Sequence, residues 1–166
     1  PLIAAGAPLW VLLLTAFYYD RGYVTVKIGK PQVEMSADKR FLYISIPIEE
    51  GEIYQIGKLD FKGELLLTRD EMVRGLKGKE GDTFNRTKLS NDIIAINDFY
   101  KNRGYANVNV TPLTSVDAEK RLVELTFDLQ QGKKVYFERI NIRGNTKTRD
   151  KVIRRELKIS EGELFS

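Results

Sequence analysis

The chain repeats itself over a long interval. Residues 99–105 read Phe-Tyr-Lys-Asn-Arg-Gly-Tyr, and residues 17–23 read Phe-Tyr-Tyr-Asp-Arg-Gly-Tyr, 82 positions earlier. A period of this length belongs to a small domain and not to a solenoid turn, because about 80 residues can close a modest core of their own. The phrase suits the end of a helix that turns into a strand. Its aromatics pack, its glycine reverses the chain in a left-handed conformation, and Arg21 and Arg103 place a cation where a helix C-terminus favours one.

The two copies agree in order over nearly their whole length. After each Arg-Gly-Tyr comes an alternating run, Val24-Thr25-Val26-Lys27-Ile28 in one and Ala106-Asn107-Val108-Asn109-Val110 in the other. A polar turn follows (37–40 and 118–121), then a second alternating run (41–46 and 122–127), then a glycine turn at Gly51 and Gly132. The match continues from 56–63 onto 137–144, from Thr68-Arg69-Asp70 onto Thr148-Arg149-Asp150, and from 80–84 onto 161–165. One complete unit, residues 55–136, therefore lies between the second half of a unit (1–54) and the first half of another (137–166). The arrangement reads as a piece from the middle of a longer array.

Hydrophobic periodicity orders the complete unit as β-α-α-β-β. Ile56, Leu59 and Phe61 fall near one face of a first strand. Thr68 and Glu71 have the spacing of a capping box, opening a helix with Met72, Val73 and Leu76 inward that ends at Gly78. A second helix over 86–103 carries Leu89, Ile93, Ile96 and Phe99 as its apolar stripe, and Gly104 is its C-cap. Strands 106–111 and 121–129 form a hairpin through 112–120, and 135–143 with 148–158 restart the pattern. The uncharged stretch 1–19 is long enough for a membrane span, but Pro8 interrupts it and it runs directly into the repeat. Residues 1–14 read instead as an atypical helix or as an addition foreign to the array.

Composition narrows the function. The chain has neither histidine nor cysteine, which removes the commonest general base, metal ligand and thiolate chemistry. No carboxylate pair or nucleophile elbow stands at a catalytic spacing, so the expectation is no enzyme, no catalytic residue, no cofactor and no metal. The net charge of +4 comes from 27 basic and 23 acidic residues interspersed, the pattern of a solvated surface. Gly78-Lys79-Glu80-Gly81 places a G-x-x-G between two helices, as KH RNA-binding modules do, although Glu80 sits where a phosphate would approach. Arg143, Lys147, Arg149, Lys151, Arg154 and Arg155 form either a solvated face or a salt-sensitive partner surface. Strand 121–129 is apolar on both sides and belongs in the middle of a three-stranded sheet with the helices on one face. That leaves Ala106, Asn107, Val108, Asn109, Val110 and Thr111 as one edge, with Val24, Thr25, Val26, Lys27 and Ile28 its counterpart. Uncharged and regular, such an edge can accept an added strand.

Order, motif and repeat length together resemble tandem POTRA domains of BamA-type outer-membrane protein assembly factors, over about residues 15–166. The resemblance rests on Phe-Tyr-x-x-Arg-Gly-Tyr, on Gly144-Asn145 with residues 148–156, and on Glu161-Gly162-Glu163-Leu164-Phe165. The turn at 63–68 departs from the Gly-Asn-Thr type kept at 144–146. The resemblance implies an α+β fold of tandem units, each a three-stranded mixed sheet with two helices on one face. It implies a periplasmic scaffold within an outer-membrane protein, meeting unfolded outer-membrane proteins and accessory lipoproteins by β-augmentation, with no nucleic acid and no small-molecule substrate. A KH-like RNA binder, or a POTRA domain from a secretion or division machine, stands as the alternative.

Overall fold

The structure, a computed structural model, describes residues 7–166. The expected membrane-length stretch is in part a helix, α1 (Leu9–Tyr19), with residues 1–6 outside the described region. Among the described residues, no helix is long and apolar enough to cross a membrane. After α1 come β1 (Lys27–Ile28), β2 (Gln32–Met35), β3 (Leu42–Ser45) and β4 (Ile48–Glu49). They form one interrupted hairpin, β1 on β4 and β2 on β3, both antiparallel. Its strands face solvent; Val33, Leu42 and Ile44 are each about 60% exposed. Unlike its repeat at 109–130, this hairpin has no third strand beside it among the described residues.

The complete unit holds the core. It comprises β5 (Gln55–Gly63), α2 (Arg69–Gly75), α3 (Arg86–Lys101), β6 (Asn109–Asp117) and β7 (Leu122–Gln130), with sheet order β5-β7-β6. β7 is the middle strand, parallel to β5 and antiparallel to β6. Val123, Leu125, Phe127 and Leu129 alternate along its buried face, and the Phe127 ring stacks on Phe61 at 4.9 Å. A bulge between Ile56 and Leu59 returns both to the helix side despite their odd spacing.

The motif's residues have distinct tasks. Tyr100 is wholly buried; its hydroxyl donates to the Glu64 carbonyl at 3.0 Å and accepts from the Leu66 amide at 3.2 Å. It thereby ties the β5–α2 connection to α3. Arg103 lies 3.5 Å over the Phe99 ring and donates to the Phe99 carbonyl at 2.9 Å, and Arg21 treats Phe17 the same way at 3.5 and 3.0 Å. Gly104 and Gly22 both take positive φ, +95° and +88°. The Tyr105 amide reaches the Tyr100 carbonyl and the Tyr23 amide the Tyr18 carbonyl, the six-to-one bond of a Schellman ending.

The joints repeat as well. The Tyr54 amide donates to the Gly22 carbonyl at 2.8 Å, and the Val135 amide to the Gly104 carbonyl at 2.8 Å. Phe84 bonds Tyr54, and Phe165 bonds Val135, in the same relation. These backbone bonds tie the end of each motif to the start of the following unit.

Several expected boundaries move. α2 stops at Gly75, not Gly78, and α4 (Asp150–Glu156) is shorter than 148–158. Residues 137–143 form no strand, because a β5-like segment needs a β7-like partner and none is present there; a single bridge, Tyr136 to Leu164, remains. The edge strand begins at Asn109 and runs to Asp117. Ala106 and Asn107 are in a turn, and the Val108 amide is spent on the Tyr105 carbonyl at 3.3 Å.

Candidate functional site

Two strands flank β7, so the sheet has two edges, and β5 was not foreseen as one. On the β5 side, the Arg121 carbonyl accepts from the Gln55 amide and the Leu129 carbonyl from the Glu64 amide. The odd-numbered residues of β7 thus face β5, and the even-numbered ones face β6. By register, β6 pairs through Asn109, Thr111, Leu113, Ser115 and Asp117. Val110, Pro112, Thr114 and Val116 turn their backbone groups outward, which is where a proline without an N–H is tolerated. The free edge therefore offers the amides of Val110, Thr114 and Val116 and four carbonyls. Among the described residues, no hydrogen bond from outside the sheet reaches them. Sequence reading stopped this strand at Pro112, although proline on an edge marks the open side and not the end.

Those four residues also point their side chains to the helix side, where Val110 is buried. Beside the other three runs an apolar groove of about 320 Å³, closed opposite by Leu89, Ser90 and Ile93 of α3. An extended segment laid on β6 would place alternate side chains over it. The second expected edge is weaker. Val24 and Thr25 are in a turn, Val26 is unpaired, and only Lys27 and Ile28 form the short β1 before Gly29, Lys30 and Pro31 break the ladder.

The G-x-x-G loop is not a phosphate clamp. Asp92, only 5% exposed, accepts from the Lys77 amide at 2.9 Å and the Gly78 amide at 3.0 Å. The Lys79 amide goes to the Asp82 carboxylate, the Gly81 amide to the Ile56 carbonyl and the Asp82 amide to the Lys79 carbonyl. Three of the four loop amides, those of Gly78, Lys79 and Gly81, are thus occupied within the fold, and the carboxylate of Glu80 stands at the fourth. The charge of Asp92 alone reads as a polar helix position, but its spacing, three after Leu89 and four before Ile96, sets it on the buried side of α3, where it fastens this loop. Its counterpart in the first copy, 82 residues earlier, is Trp10. A carboxylate at a stripe position of an amphipathic helix that follows a glycine loop was the available signal.

The POTRA family profile (surface antigen variable number repeat) matches residues 54–132 and 135–166. The chain belongs to the POTRA family. It is 31% identical over 156 residues to the outer membrane protein assembly factor BamA of Nitratidesulfovibrio vulgaris, covering 92% of this chain and 20% of that protein. The BamA of Neisseria meningitidis serogroup B is 31% identical over 155 residues, with 92% and 19% covered. The chain thus spans about a fifth of the length of these relatives. The crystal structure of Haemophilus influenzae BamA POTRA3-5 shares the fold at TM-score 0.69 and 24% identity, covering 91% of this chain and 60% of that one. BamA from Haemophilus ducreyi lacking POTRA domains 1-3 aligns at TM-score 0.59 and 28% identity, over 68% of this chain and 21% of that one.

In the partial POTRA unit that follows the complete one, the basic cluster is not uniform. Arg154 donates to the Ile140 carbonyl at 2.7 Å and meets Glu161 at 3.3 Å, so it braces α4 against 140–161. Glu161 also accepts from the Ile140 amide, and that bond first, then Arg154, holds its carboxyl below the usual range. Arg143, Lys147, Arg149, Lys151 and Arg155 are exposed.

Proposed function

We propose that this chain is a non-enzymatic periplasmic binding module of an outer-membrane β-barrel assembly machinery. It holds unfolded barrel proteins by adding their strands to β6. The observation that carries this reading is the outward row of backbone groups on β6 beside an apolar groove. Main-chain hydrogen bonds accept many sequences, and individually weak contacts allow a client to be passed along an array. β1 and Lys27–Ile28 provide a lesser, second edge. Arg143, Lys147, Arg149, Lys151 and Arg155 form an accessory surface for acidic partners, such as the lipoproteins of the same machinery. The units divide at 54/55 and 136/137. Similarity to the BamA proteins and the shared fold support this placement.

The test is fluorescence anisotropy of a urea-unfolded outer-membrane barrel protein diluted into the chain. Saturable, micromolar-range binding that competes with a barrel-strand peptide is expected. Binding that the peptide leaves untouched would remove the edge mechanism. For the accessory surface, Arg149→Ala with Arg155→Ala is expected to weaken an acidic lipoprotein partner at low salt and to change nothing at high salt. Equal affinity at both would reduce the cluster to a solvated face.

A further inference from the structure

The groove beside β6 is not built by the complete POTRA unit alone. One end of it is closed by Tyr19 and Val24, which belong to the preceding repeat. Tyr19 ends α1 and is 4% exposed, while Val24 sits in the turn after the first motif and packs against the core of the complete unit. Both are held in place by the joint. The Asp20 carboxylate accepts from the Thr87 amide at 2.9 Å and from its hydroxyl at 2.8 Å, on the first turn of α3. Arg86, on the same turn, lies 5.7 Å over the Tyr19 ring. It also lines the groove, and no carboxylate stands within ion-pair distance of it among the described residues.

We propose that this groove is a composite side-chain pocket shared by two repeats. When an extended segment pairs with β6, one bulky apolar side chain of that segment enters the space between α3, β6 and the Tyr19–Val24 wall. A carboxylate two residues along, on the same side of the added strand, faces Arg86. The inference rests on β6 being a docking edge and specifies what that edge selects. Side chains of the added strand alternate, so those on the helix side pass over Pro112, Thr114 and Val116. About 320 Å³ is at the small end for a ligand site and suits one large side chain. Hydrocarbon buried there gains by leaving water, whereas alanine leaves the space underfilled. Because one wall comes from the neighbouring repeat, the pocket keeps its shape only while the joint is closed. By reciprocity, a segment that fills it must tighten the joint. Selection of the client and stiffness of the array are thereby one equilibrium.

The experiment uses the whole chain and three peptides of alternating threonine and valine. One carries a central phenylalanine with a glutamate two residues on; the second replaces the phenylalanine with alanine; the third replaces the glutamate with glutamine. The first is expected to bind about tenfold more tightly than the second and several-fold more tightly than the third. Tyr19→Ala should remove most of the phenylalanine advantage and leave the alanine peptide unchanged. Val24→Ala, at a half-buried position, is the milder variant should Tyr19→Ala disturb folding, and should act in the same direction. Asp20→Ala touches no peptide, yet should weaken the phenylalanine peptide several-fold by loosening the joint. If the phenylalanine advantage survives both Tyr19→Ala and Val24→Ala while amides of β6 still respond, the composite pocket is wrong and edge docking stands. A glutamine peptide that binds as well as the glutamate peptide would remove Arg86 from the site. If no peptide perturbs β6, the docking edge and this inference fall together.

Discussion

The two edges of one sheet are treated in opposite ways. β5 and β6 each run nine residues beside β7, but β5 is covered at its start and charged beyond it, while β6 is neither. The start of β5 is covered by the 81–84 segment: Gln55 bridges Thr83, the Ile56 amide donates to Asp82 at 2.8 Å, and the Ile56 carbonyl accepts from Gly81 at 2.8 Å. Further along, Lys58, Asp60 and Lys62 put charges on the strand, with Asp60 3.4 Å from Arg69. β6 is uncharged from Asn109 to Val116, and its one defence is Pro112. An edge left open in this way is what the proposed docking of a partner strand requires.

The sharpest way to break the comparison is a proline placed at adjacent positions of β6. Leu113 faces β7, so Leu113→Pro removes a ladder bond and is expected to cost about 3 kcal/mol or more in a urea melt. Thr114 faces outward, so Thr114→Pro should cost about 1 kcal/mol or less while reducing strand-peptide affinity more than tenfold. Equal destabilisation by both would mean that the assigned facing of the strand is wrong.

Next comes the lock on the covered edge. Asp92→Ala leaves the buried Gly78 amide and the part-buried Lys77 amide without an acceptor and should cost about 2–3 kcal/mol. Hydrogen exchange should quicken at Gly78 and at Ile56, because the loop that covers β5 is freed. A smaller effect is expected at the far end of the same strand. Tyr100→Phe removes the hydroxyl that joins Glu64 to Leu66 and should lower stability by about 1–2 kcal/mol, with peptide binding on β6 unchanged.

The smallest effect is a pH dependence of α2, the helix lying over β5. The Thr68 amide donates to the Glu71 carboxylate at 2.9 Å, and this bond, followed by the Thr68 hydroxyl, holds the Glu71 carboxyl below its ordinary 4.5. A lowered folded value means that the contribution is complete above 4.5 and is lost as pH falls toward the folded value. The Thr68 amide shift should therefore titrate in acid, and Glu71→Gln should flatten it.

Much of this architecture was legible in the sequence because the repeat fixed the element order and local chemistry fixed the caps. The Thr68–Glu71 box, the Arg103 ending and the central place of β7 all follow from residue type and spacing. What escaped depends on tertiary pairing. Pro112 reads as a strand end in one dimension, yet it is tolerated because that side of β6 has no neighbour. Asp92 reads as solvent-facing by its charge, although its spacing sets it on the buried stripe, and its partners appear only when the loop folds back over it. Leu59 sits three residues from Ile56, a spacing that only a bulge reconciles. The groove was invisible for a further reason: Tyr19 and Val24 come to line one groove with Val116 and Leu89 only across a joint, and hydrophobic periodicity within an element does not reach across it.

The most direct measurement is hydrogen exchange by NMR on the labelled chain, with and without a barrel-strand peptide. Slowed exchange at Val110, Thr114 and Val116, with the 59–63 segment of β5 unaffected, is the result this account requires. Protection appearing on β5 instead, or unchanged exchange at those three amides while the peptide is bound, would contradict it.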